Sequence, residues 1–145
     1  MSKSPATRIT WLGHATVLIQ TAQGTNFLID PFIAHNPKYP AGFVLPEKIH
    51  YVLLTHGHGD HISDAAPVAK KHGSTVVAIY ELADYIAGQG VTQTMGMNLG
   101  GTVELGDVTV ARDRPPDEVD QEGCAQESAV HGVPHGPQRT LACCE

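Results

Sequence analysis

Residues 55–61 read THGHGDH, so three imidazoles and a carboxylate, His56, His58, Asp60 and His61, fall within six consecutive positions. Neutral imidazole nitrogens and a carboxylate oxygen suit zinc and related first-row divalent ions, with manganese and iron as the alternatives. Gly57 and Gly59 give the backbone the freedom to turn sharply, so that several of these side chains can converge. A lone histidine is more often a surface residue or a satisfied polar one; four donors at this spacing make a site for one or two metal ions the stronger reading. A water on such an ion has its pKa lowered to about 7, and two ions about 3.5–4 Å apart stabilise attacking and leaving oxygens, so hydrolysis is the natural reaction class. Asp60 is the candidate catalytic residue: it can accept a proton from that water, although service as a ligand limits its basicity.

A loop of this kind needs a rigid platform. Tyr51 to Thr55 is a continuous apolar run of strand length, which suggests a strand covered on both faces that delivers the chain into His56. Upstream, Arg8–Leu12 and Ala15–Gln20 read as two strands or a bent ribbon split by Gly13-His14, and Asn26–Ile29 as a third that stops at Asp30-Pro31. Together they predict an antiparallel meander. Residues 32–48 hold three prolines and the aromatics Phe32, Tyr39 and Phe43, the pattern of a surface loop that either covers a site or packs on the core. Downstream, Ser63 or Asp64 can cap a helix that runs to about His72 and stops at Gly73. Thr75–Ile79 reads as a buried strand, Glu81–Ala87 as a short helix, and 102–110 as a hairpin. The order is strands, then β-α-β-α, then strands, an α/β arrangement.

The 145 residues suffice for one domain, with 41% hydrophobic residues to build a core. The net charge of −6 and the lack of a basic patch argue against a nucleic-acid or anionic-membrane partner. No stretch of about 18 apolar residues and no signal-peptide pattern is present, so a soluble, cytoplasmic protein is expected. An odd count of three cysteines, with Cys143 and Cys144 adjacent, is a poor basis for a disulfide framework. A hydride-transfer enzyme has little support, because Gly96, Gly100 and Gly101 make no dinucleotide-binding turn.

The composition breaks near Ala111. All eight aromatics, all eight isoleucines and all five lysines precede it. Residues 112–145 therefore read as a disordered acidic tail, or as the product of a change of coding frame, following a domain portion at 1–111. His131 and His135 are the histidines of that segment, in a Gly/Pro-rich setting that argues against a role as ligands. Without a second sheet, the apolar faces of Val17, Ile19, Leu53 and Val103 would lack part of their cover, which favours self-association, aggregation or marginal stability.

The T-H-x-H-x-D-H motif after a strand resembles the metal-binding signature of the metallo-β-lactamase superfamily. The I-T-W-L-G-H-A-T opening, the L-I-D-P that ends the third strand and M-N-L-G-G-T-V-E-L are similar to the uncharacterised metal-dependent hydrolases of that superfamily, relatives of the ascorbate-phosphate lactonases. The resemblance covers about residues 8–110 and implies the first half of an αββα sandwich. It implies that His56 and His58 bind one metal and Asp60 and His61 a second, with Asp30 orienting the ligand loop from behind. It also makes His14 a pocket-lining histidine, where the residues alone allow a histidine at the edge of the core. The family's second half supplies a further histidine, a bridging Asp in a G-D-T-like turn and a late histidine, and those motifs are missing here. The expected function is a metal-dependent hydrolase of a small-molecule substrate, truncated and weakly active as this chain. The alternative is a noncatalytic metal-binding fragment or module.

Overall fold

The computed structural model describes residues 6–112 together with 130–133 and 142–143. The expected meander is present: β1 (Arg8–Trp11), β2 (Val17–Gln20) and β3 (Asn26–Ile29) pair antiparallel in chain order. β4 (Tyr51–Leu53) then joins β3 in parallel, and β5 (Thr75–Ile79) and β6 (Thr94–Met97) extend the sheet in the same direction. The sheet order is β1-β2-β3-β4-β5-β6. Four parallel strands leave their carboxyl ends on one edge, where α/β folds place their ligands. Because β2 runs against β3, with Val17 opposite Ile29, the turn between β1 and β2 reaches that same edge.

Side chains alternate across the sheet and feed two cores. Leu18, Leu28, Val52 and Val76 face α2 (Ala65–His72) and α3 (Tyr80–Gly88), whose Ala65, Ala69, Leu82 and Ile86 are buried with them. Ile19, Phe27, Ile29, Leu53 and Val77 face the opposite way and pack on Leu105, Val108 and Val110. These last three belong to a second, antiparallel sheet of β7 (Thr102–Leu105), β8 (Val108–Arg112), β9 (Val130–Val133) and β10 (Ala142–Cys143). The two sheets are tied at one end by the Thr25 hydroxyl, which donates to Asp107 at 2.5 Å.

That second sheet reaches into the C-terminal segment. β8 continues through Arg112, which is only 3% exposed, and β9 pairs antiparallel with β8, placing the backbone of His131 opposite Ala111. Beyond 111, residues 112, 130–133 and 142–143 take part in this sheet; the rest of the segment expected to be a disordered or frame-changed tail, including His135, lies outside the described residues. The second sheet also covers the apolar face that would lack part of its cover without it. Ile19 and Leu53 are buried, and Val17 and Val103 pack against the same cluster.

Two elements differ from expectation for local reasons. β6 has a weak strand sequence, TMGM, but pairs with β5 through Val76 to Ile79; Gly96 is needed there because a Cβ would sit 2.9 Å from the Cα of Tyr80. Asp64 occupies the N-cap of α2 without a capping bond to that helix. Its carboxylate accepts instead from the backbone N–H groups of Ile33 and Ala34, at 2.7 and 3.1 Å, fastening the proline-rich loop to the helix. That loop packs on the core: Ile33, Tyr39, Phe43 and Leu45 lie against the helical cluster, and burial raises the Tyr39 phenol pKa.

Asn36 is buried beneath the same loop and donates its amide to the carbonyls of Leu12, Gly13 and Phe32 at 3.0–3.3 Å. Gly13 adopts φ +92°, and a Cβ on it would lie 2.7 Å from the backbone of Lys38. Replacing Gly13 with Ala is expected to cost about 1–3 kcal/mol, from left-handed backbone strain and from overpacking. A urea titration checks this, and unchanged stability would show that the loop is not pressed onto the turn.

Candidate metal centre

The carboxyl edge carries every residue singled out from the motif. β4 stops at Leu53, two residues earlier than the apolar run suggests, and Thr55 turns out of the sheet with its N–H donating to Asp30 Oδ1 at 2.8 Å. The Thr55 hydroxyl donates to Asp30 Oδ2 at 2.6 Å and lies 3.0 Å from His56 Nδ1. Residues Gly59–Ile62 then form a helical turn, α1, that sets Asp60 and His61 side by side instead of continuing the loop.

Asp30 is 1% exposed and anchors this arrangement. It ends β3 with φ +42°, a conformation costly for a residue with a Cβ, so the surrounding bonds must hold it there. Besides Thr55, it engages His61, whose Nδ1 is 2.8 Å from Oδ2. A carboxylate bonded to one ring nitrogen fixes the tautomer and presents the other nitrogen as a ligand, an arrangement common around bound metals.

The imidazoles cluster in front of this support. The His56 ring centroid is 4.0 Å from that of His61 and 4.5 Å from that of His58, and the His14 centroid is 4.9 Å from that of His61. His14 Nε2 is 3.1 Å from Asp60 Oδ2. Among the described residues, His14, Asp60 and His61 each place a ligand atom within 4.8 Å of the others. His56 stands beside that trio, against His61, and His58 stands next to His56. Partial desolvation pushes the Asp60 carboxyl up, yet its own backbone hydrogen bond and the neighbouring His61, His14 and His58 prevail and hold it below the ordinary carboxylate range.

His14 is more central than the motif suggested. It too has a left-handed backbone, φ +52°, in a turn closed by the Leu12 N–H to Thr16 C=O bond at 2.8 Å and by the Trp11 indole donating to the His14 carbonyl at 2.7 Å. Phe32 meets its ring edge-on at 5.7 Å. Phe32 comes from the loop whose aromatics could cover a site, whereas Thr55 is the contributor that residue type alone did not single out; its place directly before the first histidine was the available signal. The donors fit a divalent ion: imidazole and carboxylate groups converge, and His61 is buttressed by a buried carboxylate.

Comparisons with known proteins agree with this architecture. The chain is 48% identical over 104 residues to a UPF0173 metal-dependent hydrolase of Rubrobacter xylanophilus, covering 72% of this chain and 43% of the relative. It is 41% identical over 133 residues to one of Dinoroseobacter shibae, covering 90% and 53%. The chain thus spans about half the length of these curated relatives. Among solved structures, Igni18, a metallo hydrolase from Ignicoccus hospitalis, superposes with a TM-score of 0.68 at 22% identity, covering 91% of this chain and 57% of that one. The diiron β-hydroxylase CmlA of Streptomyces venezuelae gives a TM-score of 0.71 at 20% identity, covering 98% and 30%. At such identities these structures speak for the fold alone. The metallo-β-lactamase superfamily model matches residues 9–145, running past the change in composition near Ala111, and the chain belongs to that superfamily.

Proposed function

We propose that this chain carries the metal-binding half of a hydrolase acting on a small-molecule ester, lactone or phosphoester, with zinc as the preferred ion and manganese or iron as substitutes. The observation that carries the reading is the gathering of His56, His58, Asp60 and His61 at the carboxyl edge, with Asp30 bonded behind His61. His56 and His58 would hold one ion, Asp60 and His61 a second. A bound ion supplies an acidified water and stabilises developing negative charge. The chain's own residues supply orientation: Asp30 fixes the His61 tautomer, Thr55 holds Asp30 and lies against His56, and Asp60 lies where it can take up a proton.

The match covers only 43% of a relative named a metal-dependent hydrolase, so turnover by this chain alone is expected to be weak. The same span favours a second reading, a metal-binding module without catalysis. Metal titration decides the site: His58→Ala should weaken binding by more than the roughly 10–100-fold that follows loss of a supporting group. Unchanged stoichiometry and affinity would overturn the assignment. Stoichiometric metal without hydrolysis of an ester, lactone and phosphodiester panel, with zinc or manganese added, would favour the module.

A further inference from the structure

Resting on the metal reading above, we infer that His14 is a metal ligand, completing with Asp60 and His61 a three-residue site for the second ion from within this chain. The motif alone leaves that position short, since it offers Asp60 and His61 and no third donor. The structure brings one from 46 positions upstream: His14 Nε2 lies 3.1 Å from Asp60 Oδ2, and both are within 4.8 Å of a ligand atom of His61. Two donors on one tetrahedral ion, at bond lengths near 2.0–2.2 Å, stand roughly 3.3 Å apart. The His14–Asp60 separation is already close to that, and a shift on the order of 1 Å would bring His61 in.

The backbone around His14 is built to hold this position. A residue with a Cβ at φ +52° is unfavourable by about 1–2 kcal/mol. It persists here between Gly13, which admits no side chain against Lys38, and the Trp11 indole bonded to the His14 carbonyl. Asn36 secures the turn from below through the carbonyls of Leu12 and Gly13. Phe32 and His61 meet the imidazole at interplanar angles of 78° and 77°, fixing its plane as well as its place. A histidine that only filled the edge of the core would need none of this and would not point its Nε2 at a carboxylate. A simple ion pair between His14 and Asp60 is the competing account of the same distance.

The test is metal binding by the full 145-residue chain, freed of metal and titrated with zinc, with native mass spectrometry for stoichiometry and calorimetry for affinity. Wild type is expected to take two ions. His14→Asn, chosen because asparagine tolerates the left-handed backbone, should keep one ion and bind the second at least 100-fold more weakly. His35→Ala, which removes an exposed histidine from the neighbouring loop, should bind both ions as wild type does. Circular dichroism confirms that each variant is folded, and His14→Ala provides a second substitution should the asparagine itself coordinate. Two ions bound with unchanged affinity in both His14 variants would overturn the inference and leave an ion pair, with the metal reading intact. A single ion in wild type, unaffected by either change, would overturn it as well. Wild type that takes no metal would overturn this inference and the reading beneath it.

Discussion

Asp30→Ala is expected to unfold the edge that bears the candidate metal centre, lowering stability by about 3–5 kcal/mol and the melting temperature by on the order of 10–20 °C. The carboxylate is 1% exposed and accepts two bonds from Thr55, at 2.6 and 2.8 Å, while His61 Nδ1 lies 2.8 Å away. Alanine would strip three polar groups of this partner and relieve no strain, because the new side chain inherits the same left-handed backbone. Asp30→Asn keeps the shape and an acceptor oxygen, so its loss of stability should be much smaller. It should still weaken metal binding by about 10–100-fold, since a neutral amide supports the His61 ring less well than a carboxylate. Thermal melts of the metal-free variants separate the two effects from ligation itself. A melting temperature unchanged by Asp30→Ala would mean that the Asp30–Thr55–His61 unit does not hold the edge together.

The other large effect lies between the sheets. Phe27 is 1% exposed, stacks on Tyr51 at 5.1 Å and 19°, and sits in the cluster where β3 meets Leu105, Val108 and Val110. Phe27→Ala is expected to cost about 3–5 kcal/mol from lost burial and the cavity left behind, including the lost aromatic pair. Phe27→Leu, which refills most of that volume, should recover the larger part. Urea unfolding curves give both values, and a cost under about 1 kcal/mol for Phe27→Ala would show that the second sheet is not seated on the first through this residue.

The legible parts of this molecule were those in which local pattern and tertiary demand coincide. Strand β3 and its stop at Asp30-Pro31, helix α2 with its left-handed Gly73, and the β7–β8 hairpin were all readable, because apolar alternation, a helix stop and a turn each carry their own signal. Strand β6 was not, since Thr94-Met95-Gly96-Met97 has little strand preference and is extended by its pairing with β5. The C-terminal strands escaped for a similar reason. A segment poor in aromatic and β-branched residues reads as loop, yet the open edge of β8 offers backbone partners that composition does not reveal. Four motif positions of the site were plain from spacing alone. His14 was visible only as one of two alternatives, because its approach to Asp60 depends on the antiparallel turn that carries residues 12–16 to the carboxyl edge.

That turn also sets an order of events. Among the described residues, the candidate donor side chains of the centre, with the carboxylate behind them, lie between residues 14 and 61, while the strands that cover Phe27 and Ile29 from the other side begin only at 102. A chain made from its amino terminus presents these candidate ligands well before β7 and β8 exist. An ion captured at that stage would link the β1–β2 turn to the loop after β4 across a separation of roughly 45 residues, removing chain entropy while the inter-sheet face is still bare. Metal supply during synthesis would then govern how much of this protein reaches its folded state, separately from any reaction the folded state performs.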